Sequence, residues 1–343
     1  MKQLSVIGLG IKRSKDQQVL DVLIPYISET EALNVTKNKF TTLTTEDVSK
    51  LPEKLQNNAK KMIENSQPTN GYANVTIGYI YMDNLNEDIH SAEESYFKLQ
   101  LISQRFAKPH DLNLTNLFGS LTNVAWSNKG PLLPEDVPTM QIKYQASDAP
   151  LTITHIDKFP YLVNYHIPSN VRIAAGSQVR LGAYLGEGTT VMPAGYVNFN
   201  GGTLGQAMVE GRVSAGVVVG DKSDVGGGAS IMGTLSGGNK EVISIGEQCL
   251  LGANSGTGIS LGNGCTIAAG LYVTAGSPVF LYDQNNNPVD HDGNPVSEPE
   301  NCVKAHTLTG KPYLLFLQDS KTGRLICKPN QKVIELNDAL HKN

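Results

Sequence analysis

Aliphatic residues, with one threonine among them, recur every six positions through the middle of this chain. This spacing restricts the folds open to it. The longest run is Ile173, Val179, Leu185, Val191, Val197, Thr203 and Val209. After a step of four residues the series continues at Val213, Val219, Val225 and Ile231. After a polar interruption at Ser236–Glu241 it resumes at Ile245 and Leu251, and a last run is Leu261, Ile267, Val273 and Val279. A period of six matches neither the 3.6 residues of a helical turn nor the alternation of an amphipathic strand.

Glycine is concentrated in the same part of the chain, where 25 of the 34 glycines lie between Val171 and Phe280. Glycine adopts positive φ angles without strain, so it suits tight corners between short strands. Three strands of six residues would close one turn of a coil, with turns stacked about 4.8 Å apart. The sequence therefore predicts a parallel coil of about five or six turns. A sandwich is disfavoured because its strands recur every roughly 8–12 residues and alternate with a period of two.

The residues before the coil predict an α/β N-terminal domain over residues 1–110. Strand-like runs lie at Gln3–Ile7 and Val75–Tyr81, and Thr45–Ser66 carries the charge pattern of one or two helices. The capping box from Ser91 to Glu94 predicts a helix that runs to about Phe106. Residues 111–165, with the sole tryptophan, Trp126, are interpreted as an irregular region that links this domain to the coil.

The coil domain is placed at residues 166–280 and a small C-terminal extension at residues 281–343. The extension begins with a polar excursion, Asp283–Asn301. Two strand-like runs follow, Pro312–Gln318 and Gly323–Lys328, and then a short helix at about residues 334–341.

Composition excludes several classes of protein. A net charge of −4 and a pI near 6.0 argue against a nucleic-acid binder or a basic membrane-surface protein. No apolar run approaches the roughly 18 residues of a membrane span, and Val6–Ile11 is too short for a secretory signal. The four cysteines form no disulfide framework. We therefore expect a soluble, cytosolic protein.

The coil contains no histidine between residues 171 and 280. This absence argues against a zinc hydratase, which needs histidine ligands, and against a coil histidine as general base. Among the coil acids, Glu187, Asp221 and Glu247 stand beside glycine and Asp224 lies two residues before one, which favours solvated corners. Glu241 lies in a polar loop and is expected to be exposed.

Glu210 differs from the other coil acids because it directly follows an inward aliphatic, Val209. Arg212 follows two residues later and could pair with it. The pair has two interpretations: a structural ion pair, or a carboxylate with a perturbed pKa that takes part in chemistry.

Several longer motifs accompany the repeat. They are Phe159-Pro160, Val171-Arg172-Ile173-Ala174, Val179-Arg180-Leu181-Gly182-Ala183, Gly188-Thr189-Thr190-Val191-Met192, Val197-Asn198-Phe199-Asn200, Met208-Val209-Glu210-Gly211-Arg212, the run from Ser223 to Leu235, and Leu250-Leu251-Gly252-Ala253-Asn254-Ser255-Gly256. With these motifs the chain resembles the tetrahydrodipicolinate N-succinyltransferases, in the longer-chain branch of actinobacteria and pseudomonads. The resemblance is dense over residues 155–280, thinner at the C-terminus and weak over residues 1–110.

This resemblance implies a left-handed parallel β-helix, a homotrimer, and active sites between neighbouring coils. It also implies succinyl transfer from succinyl-CoA to tetrahydrodipicolinate, giving N-succinyl-2-amino-6-oxopimelate, in the diaminopimelate route to lysine. Succinyl-CoA would be a co-substrate, with no permanently bound cofactor.

The resemblance also assigns residues by position. Glu210 matches the catalytic glutamate. The positions that match the succinyl-CoA site are Arg212, Gly227, Ser230, Ala253, Ala268, Ala269, Gly276, Lys304, Leu317, Gln318, Asp319 and Ser320. Members of this branch carry acids for a cation at two positions that are Ser177 and Ala194 here, so no metal is assigned.

Two roles for Glu210 stay open at this point. It could act as general base towards the acceptor amine, or attack the thioester and form an acyl-anhydride. Arg180, Arg212, Lys240 and Lys304 are cations available for the carboxylates and phosphates of the substrates. The competing functions are a non-enzymatic trimeric scaffold, which would not bind CoA, and an acetyltransferase that acts on a different amine.

Overall fold

A computed structural model describes residues 5–145, 148–176, 178–236, 240–332 and 336. The chain divides into two compact units, one up to residue 167 and one from residue 168 onward. The finer division of the sequence at residues 110, 165 and 280 stays a prediction.

The first unit contains a four-stranded antiparallel sheet in the order β2-β1-β4-β3. Its strands are β1 (Val6–Lys15), β2 (Gln18–Glu29), β3 (Thr41–Thr42) and β4 (Asn74–Met82). The sequence predicted part of β1 and of β4 but missed β2. The β1–β2 turn uses Asp16 and Gln17 at φ 48° and 68°, so no glycine marks the hairpin.

The helices of this unit are α1 (Glu53–Glu64), α2 (Ala92–Ser103), α3 (Leu117–Ser120) and α4 (Val137–Tyr144), with 3₁₀ turns at Val48–Lys50, Pro134–Asp136 and Leu162–Asn164. The predicted cap of α2 is confirmed. The Ser91 side chain accepts a hydrogen bond from the Glu94 N–H (3.2 Å), and the Glu94 carboxylate accepts one from the His90 N–H (3.0 Å). The helix ends at Ser103, slightly before the predicted end.

The segment expected to be irregular is in fact folded, so that expectation is wrong. It contains a small antiparallel sheet of β5 (Val124–Ser127), β6 (Gly130–Leu132) and β7 (Ile153–Asp157). Trp126, in the central strand β5, is buried, and its indole Nε1 donates to the Asp157 carbonyl (2.9 Å). Strands this short leave no long periodic pattern for a sequence reading to detect.

The second unit is a left-handed parallel β-helix, as predicted. Short strands form three parallel sheets, and each strand pairs with the strand one full turn further on. The first sheet contains β8 (Arg172–Ile173), β11 (Thr190–Val191), β14 (Ala207–Val209), β17 (Ser223–Val225), β20 (Leu250–Leu251) and β22 (Thr266–Ile267). The second contains β9 (Gln178–Val179), β12 (Tyr196–Val197), β15 (Arg212–Val213), β18 (Ser230–Ile231), β21 (Gly256–Thr257) and β23 (Tyr272–Val273). The third contains β10 (Tyr184–Leu185), β13 (Gly202–Thr203), β16 (Val218–Val219) and β19 (Ser244–Ile245).

The six-residue series forms the core of the coil. In the first sheet Val191, Val209, Val225, Leu251 and Ile267 lie in register, one above another. Every position of the series from residue 179 to residue 279 is buried. Ile173 is only half-buried because it lies in β8, at the end of its sheet.

The C-terminal extension continues the coil. It adds β24 (Pro278–Leu281), β25 (Cys302–Lys304), a 3₁₀ turn (Ala305–Leu308), β26 (Leu314–Gln318) and β27 (Leu325–Pro329). Strand β26 pairs in parallel with β22, so the buried Phe316 follows Ile267 in the first sheet. The two strands predicted here are confirmed, and the predicted helix at about residues 334–341 falls almost wholly outside the described residues.

Replacing Leu251 with alanine should destabilise the coil strongly. Leu251 is fully buried between Val225 and Ile267, and its loss leaves a cavity that stacked turns cannot close. We expect a loss of about 2–5 kcal/mol. Urea titration at fixed protein concentration measures it. Ile142→Ala, at a side chain that is 80% exposed, is the control and should shift the midpoint little. Equal midpoints for the two variants would contradict the core assignment.

Candidate active site

Glu210 lies in a corner of the coil that is shorter than the equivalent corners of other turns. The corner between the first and second sheets has four residues in other turns, at 192–195, 226–229, 252–255 and 268–271. Between β14 and β15 it has two, Glu210 and Gly211. A Cβ on Gly211 would lie 2.2 Å from the Ala229 carbonyl oxygen, so only glycine fits this close approach. The corner is therefore recessed relative to the turn above it.

The Glu210 side chain lies in this recess, half-buried beneath the next turn. Its backbone is fixed there, because the Glu210 N–H donates to the Val225 carbonyl (2.8 Å) and the Gly228 N–H donates to the Glu210 carbonyl (3.3 Å). A Cβ on Gly227 would lie 3.4 Å from Glu210 Oε2. The Glu210 carboxylate makes no hydrogen bond or ion pair with any described residue, so among those residues neither of its oxygens has a protein partner.

The predicted pair between Glu210 and Arg212 is wrong. The tight corner directs the two side chains to different sides, since Arg212 begins β15 in the second sheet. The Arg212 guanidinium donates instead to the Ser230 hydroxyl, from Nε at 3.0 Å and from Nη2 at 2.5 Å. Arg212 and Ser230, both predicted site residues, are therefore direct neighbours on the outer face of the second sheet.

Small residues follow Glu210 along the same edge of the coil. The Asn254 N–H donates to the Gly227 carbonyl and the Gly270 N–H to the Ala253 carbonyl, each at 2.8 Å. These bonds stack the predicted positions in successive turns: Gly227, then Ala253, then Ala268 and Ala269. Ala253 and Ala269 are exposed, so the edge is a narrow surface with little side-chain cover.

The residues predicted from the last strand continue this edge. The Ala268 N–H donates to the Phe316 carbonyl (2.9 Å), which places Leu317, Gln318, Asp319 and Ser320 beyond Ala268. The Asp319 carboxylate accepts hydrogen bonds from the Thr322 hydroxyl and the Lys321 N–H. These bonds, that from Thr322 foremost, hold the pKa of the exposed Asp319 carboxyl below its ordinary value.

Gly276 and Lys304 lie at a different corner, between the second sheet and β24. The Ala305 N–H donates to the Ser277 carbonyl (2.9 Å), and Lys304 stands opposite Pro278 in the strand pairing. The structure thus places most of the predicted residues in two groups, one on each side of the second sheet, with Arg212 and Ser230 on the face between them. One group is Glu210 with the small-residue edge and the end of β26, and the other is Gly276 with Lys304.

Other predicted features have different positions. Arg180 lies over the Tyr196 ring (6.0 Å) and near Asn198 in an early turn. Asp221 caps a corner, where its carboxylate accepts from the Gln206 N–H (2.7 Å). Ser177 lies outside the described residues, and Ala194 forms part of a corner at φ 69°. Within the described ranges, no three His, Cys, Asp or Glu side chains are grouped to hold a metal ion.

Sequence reasoning missed the recess itself, although its signal was visible. The step from Val209 to Val213 is four residues where the repeat requires six, and this deletion is the shortened corner.

No helix in the described part of the chain has the length and apolar character to cross a membrane.

Comparison with known proteins shows which family this chain resembles. Two family models match: Tetrahydrodipicolinate N-succinyltransferase middle over residues 121–161, and Hexapeptide repeat of succinyl-transferase over residues 242–275. The first falls in the segment that was interpreted as an irregular link, so the sequence reading overlooked a family-specific region.

Curated relatives carry the same name. A Vibrio cholerae 2,3,4,5-tetrahydropyridine-2,6-dicarboxylate N-succinyltransferase is 53% identical over 253 residues, which cover 74% of this chain and 71% of that protein. The Pseudomonas aeruginosa protein of this name is 50% identical over 251 residues, covering 73% of this chain and 70% of its own.

A solved structure extends the likeness to the whole chain. It is a Campylobacter jejuni protein described as a 2,3,4,5-tetrahydropyridine-2-carboxylate N-succinyltransferase, with 30% identity and a TM-score of 0.80. The match covers 98% of this chain and 94% of that one. The resemblance inferred from the sequence motifs is thereby confirmed: this chain belongs to the tetrahydrodipicolinate N-succinyltransferase family.

Proposed function

We propose that the recessed corner at Glu210 is where this acyltransferase moves a succinyl group from succinyl-CoA to tetrahydrodipicolinate. The products are N-succinyl-2-amino-6-oxopimelate and CoA, and the step belongs to the diaminopimelate route of lysine biosynthesis. One observation carries the assignment: an unpaired, half-buried carboxylate opens onto an edge of small residues.

Glu210 suits the chemistry that this transfer requires. The acceptor nitrogen must lose a proton as it attacks the thioester, and a carboxylate within reach can accept that proton. The same carboxylate could instead attack the thioester and carry the succinyl group as an anhydride. Both roles need at least one carboxylate oxygen without a protein partner, which is the state of Glu210 among the described residues.

The edge of small residues suits the acyl-CoA. Gly227, Ala253 and Ala269 leave room for an extended chain to lie against the coil and reach its backbone groups. At the far corner, Lys304 is an exposed cation that can pair with phosphate. Arg212 lies between the two groups and is available for the succinyl carboxylate.

We further propose a cytoplasmic homotrimer that uses succinyl-CoA as a co-substrate and holds no permanent cofactor. Leu204 and Val242 are 44% and 40% exposed on the coil, and apolar side chains of this kind are suited to a neighbouring subunit. A second chain across the exposed edge would also complete the walls of the site. The four cysteines are free thiols, which agrees with a reducing compartment.

The reaction itself is tested by release of CoA. The protein is mixed with succinyl-CoA or with acetyl-CoA, each with and without tetrahydrodipicolinate, and free thiol is measured over time. We expect acceptor-dependent release with succinyl-CoA and much slower release with acetyl-CoA. Faster turnover of acetyl-CoA would support a different acyl donor, and no CoA binding at all would support a scaffold.

Changing Glu210 to glutamine should remove most of the turnover. Glutamine keeps the shape but cannot accept the proton, so we expect kcat to fall roughly 10²–10⁴-fold. Binding of CoA, measured by calorimetry, should persist because the carboxylate serves the transition state.

The matched control is Glu247→Gln, at an exposed coil acid in the corner between the third and first sheets, which should leave kcat near wild type. Hydroxylamine capture of a succinyl group at Glu210 would favour the anhydride over the general base. Near-normal turnover of Glu210→Gln would remove this residue from the mechanism.

Replacing Lys304 with alanine should weaken the use of succinyl-CoA without slowing the chemistry. Lost phosphate pairing affects the ground state and transition state alike, so KM for succinyl-CoA should rise at nearly constant kcat. Steady-state kinetics measure both constants. The control is Lys222→Ala, at an exposed lysine on the edge between the third and first sheets, away from the second sheet. A large fall in kcat at unchanged KM would contradict the assignment of Lys304 to phosphate binding.

A further inference from the structure

Between the two groups of predicted site residues lies the outer face of the second sheet. Its outward row in the later turns is Arg212, Ser230, Gly256 and Tyr272, as the strand pairing shows. Tyr272 follows Ala269 by three residues and precedes Gly276 by four. A molecule that reaches both corners of the same coil by the shortest path therefore crosses the row that contains Tyr272.

Tyr272 lies flat on this face because Gly256 has no side chain. A Cβ on Gly256 would lie 2.2, 2.5 and 2.6 Å from three atoms of the Tyr272 ring, Cε2, Cδ2 and Cζ. The ring therefore occupies the place that any side chain at residue 256 would fill. It reaches back by one turn, towards the turn of Ser230.

The other side of this ring is open. Tyr272 is 41% exposed, and its hydroxyl makes no hydrogen bond with a described residue. An aromatic ring held flat on one face and exposed on the other is a firm apolar surface. It stands between a cation suited to phosphate, Lys304, and the carboxylate suited to the thioester, Glu210.

We propose that Tyr272 is a binding residue for the pantetheine arm of the acyl-CoA, with Gly256 holding the ring in place. This inference rests on the function proposed above, and it follows from the order of groups in the ligand. In CoA the pantetheine arm connects the diphosphate to the sulfur, so it must cover the surface between the phosphate and thioester positions. The ring presents its face to the methylene and amide groups of that arm.

The test compares four variants in steady-state kinetics: Tyr272→Ala, Tyr272→Phe, Gly256→Ala and the double variant Gly256→Ala with Tyr272→Ala. Tyr272→Ala should raise KM for succinyl-CoA by roughly tenfold with kcat within twofold, and the Kd of CoA by a similar factor. Tyr272→Phe keeps the ring and should behave as wild type. Gly256→Ala displaces the ring and should match Tyr272→Ala.

The double variant makes the test specific. The three atoms nearest to a Cβ at residue 256 all belong to the Tyr272 ring, so removing the ring removes the closest contacts and the double variant should be no worse than Tyr272→Ala. A further rise in KM in the double variant would show that Gly256 acts by another route, and would overturn the proposal.

A shortened donor separates the pantetheine arm from the thioester. Succinyl-N-acetylcysteamine keeps the thioester and lacks most of the arm, so its KM should be the same for wild type and Tyr272→Ala. If Tyr272→Ala raised the KM of both donors equally, the assignment of Tyr272 to the pantetheine arm would be overturned.

A matched control is Tyr313→Ala. The Tyr313 ring covers Gly264 in the same way, with Cδ1 2.5 Å from the place of a Cβ, but in the corner between the third and first sheets. Its KM for succinyl-CoA should not change.

Light scattering on each variant tests whether assembly is altered. A Tyr272→Ala protein that dissociates into smaller species would assign the ring to subunit packing and overturn the proposal. Failure of the wild type to use succinyl-CoA would refute the proposed function itself, whereas an active wild type with an unchanged KM in Tyr272→Ala would refute only this inference.

Discussion

The stacking of one turn of the coil on the next is the constraint on which the second unit depends. The short strands form their backbone hydrogen bonds with the turns on either side: the Val191 carbonyl accepts from the Ala174 N–H of the preceding turn, and the Met192 N–H donates to the Val209 carbonyl of the next. The inward side chains repeat this dependence, since Val209 packs between Val191 and Val225. Burial of each such side chain contributes about 1.5–3 kcal/mol, so the coil is stable only as a stack.

This constraint also explains how the coil can carry a site. The strands must stay in register, so variation is confined to the corners. Removing two residues from one corner leaves Val209 and Val213 in place and recesses the chain between them. The result is a carboxylate set back from an edge of glycine and alanine, produced without any change in the core.

The repeat made the coil easy to predict, because a buried position every six residues has few structural explanations. The helix cap at Ser91 could also be predicted, because its hydrogen bond with Glu94 joins residues only three positions apart. Strand β2 was missed because the turn that joins it to β1 contains no glycine, and the small sheet around Trp126 was missed because its strands are only three to five residues long. The pair between Glu210 and Arg212 was wrong because strand spacing was applied across a corner, where the alternation of side chains does not hold.

The sequence by itself determined the coil, its family and the residue types available for chemistry, because these depend on local spacing and on motifs. Only the tertiary structure decided which residues meet. It separated Glu210 from Arg212, stacked Gly227 below Ala253, and laid the Tyr272 ring over Gly256. The last two contacts join residues about one turn of the coil apart, and between β8 and β22 a turn spans 16, 18 or 26 residues according to its corners. Which residues of neighbouring turns face each other therefore depends on the summed lengths of the corners between them, and no single sequence motif determines it.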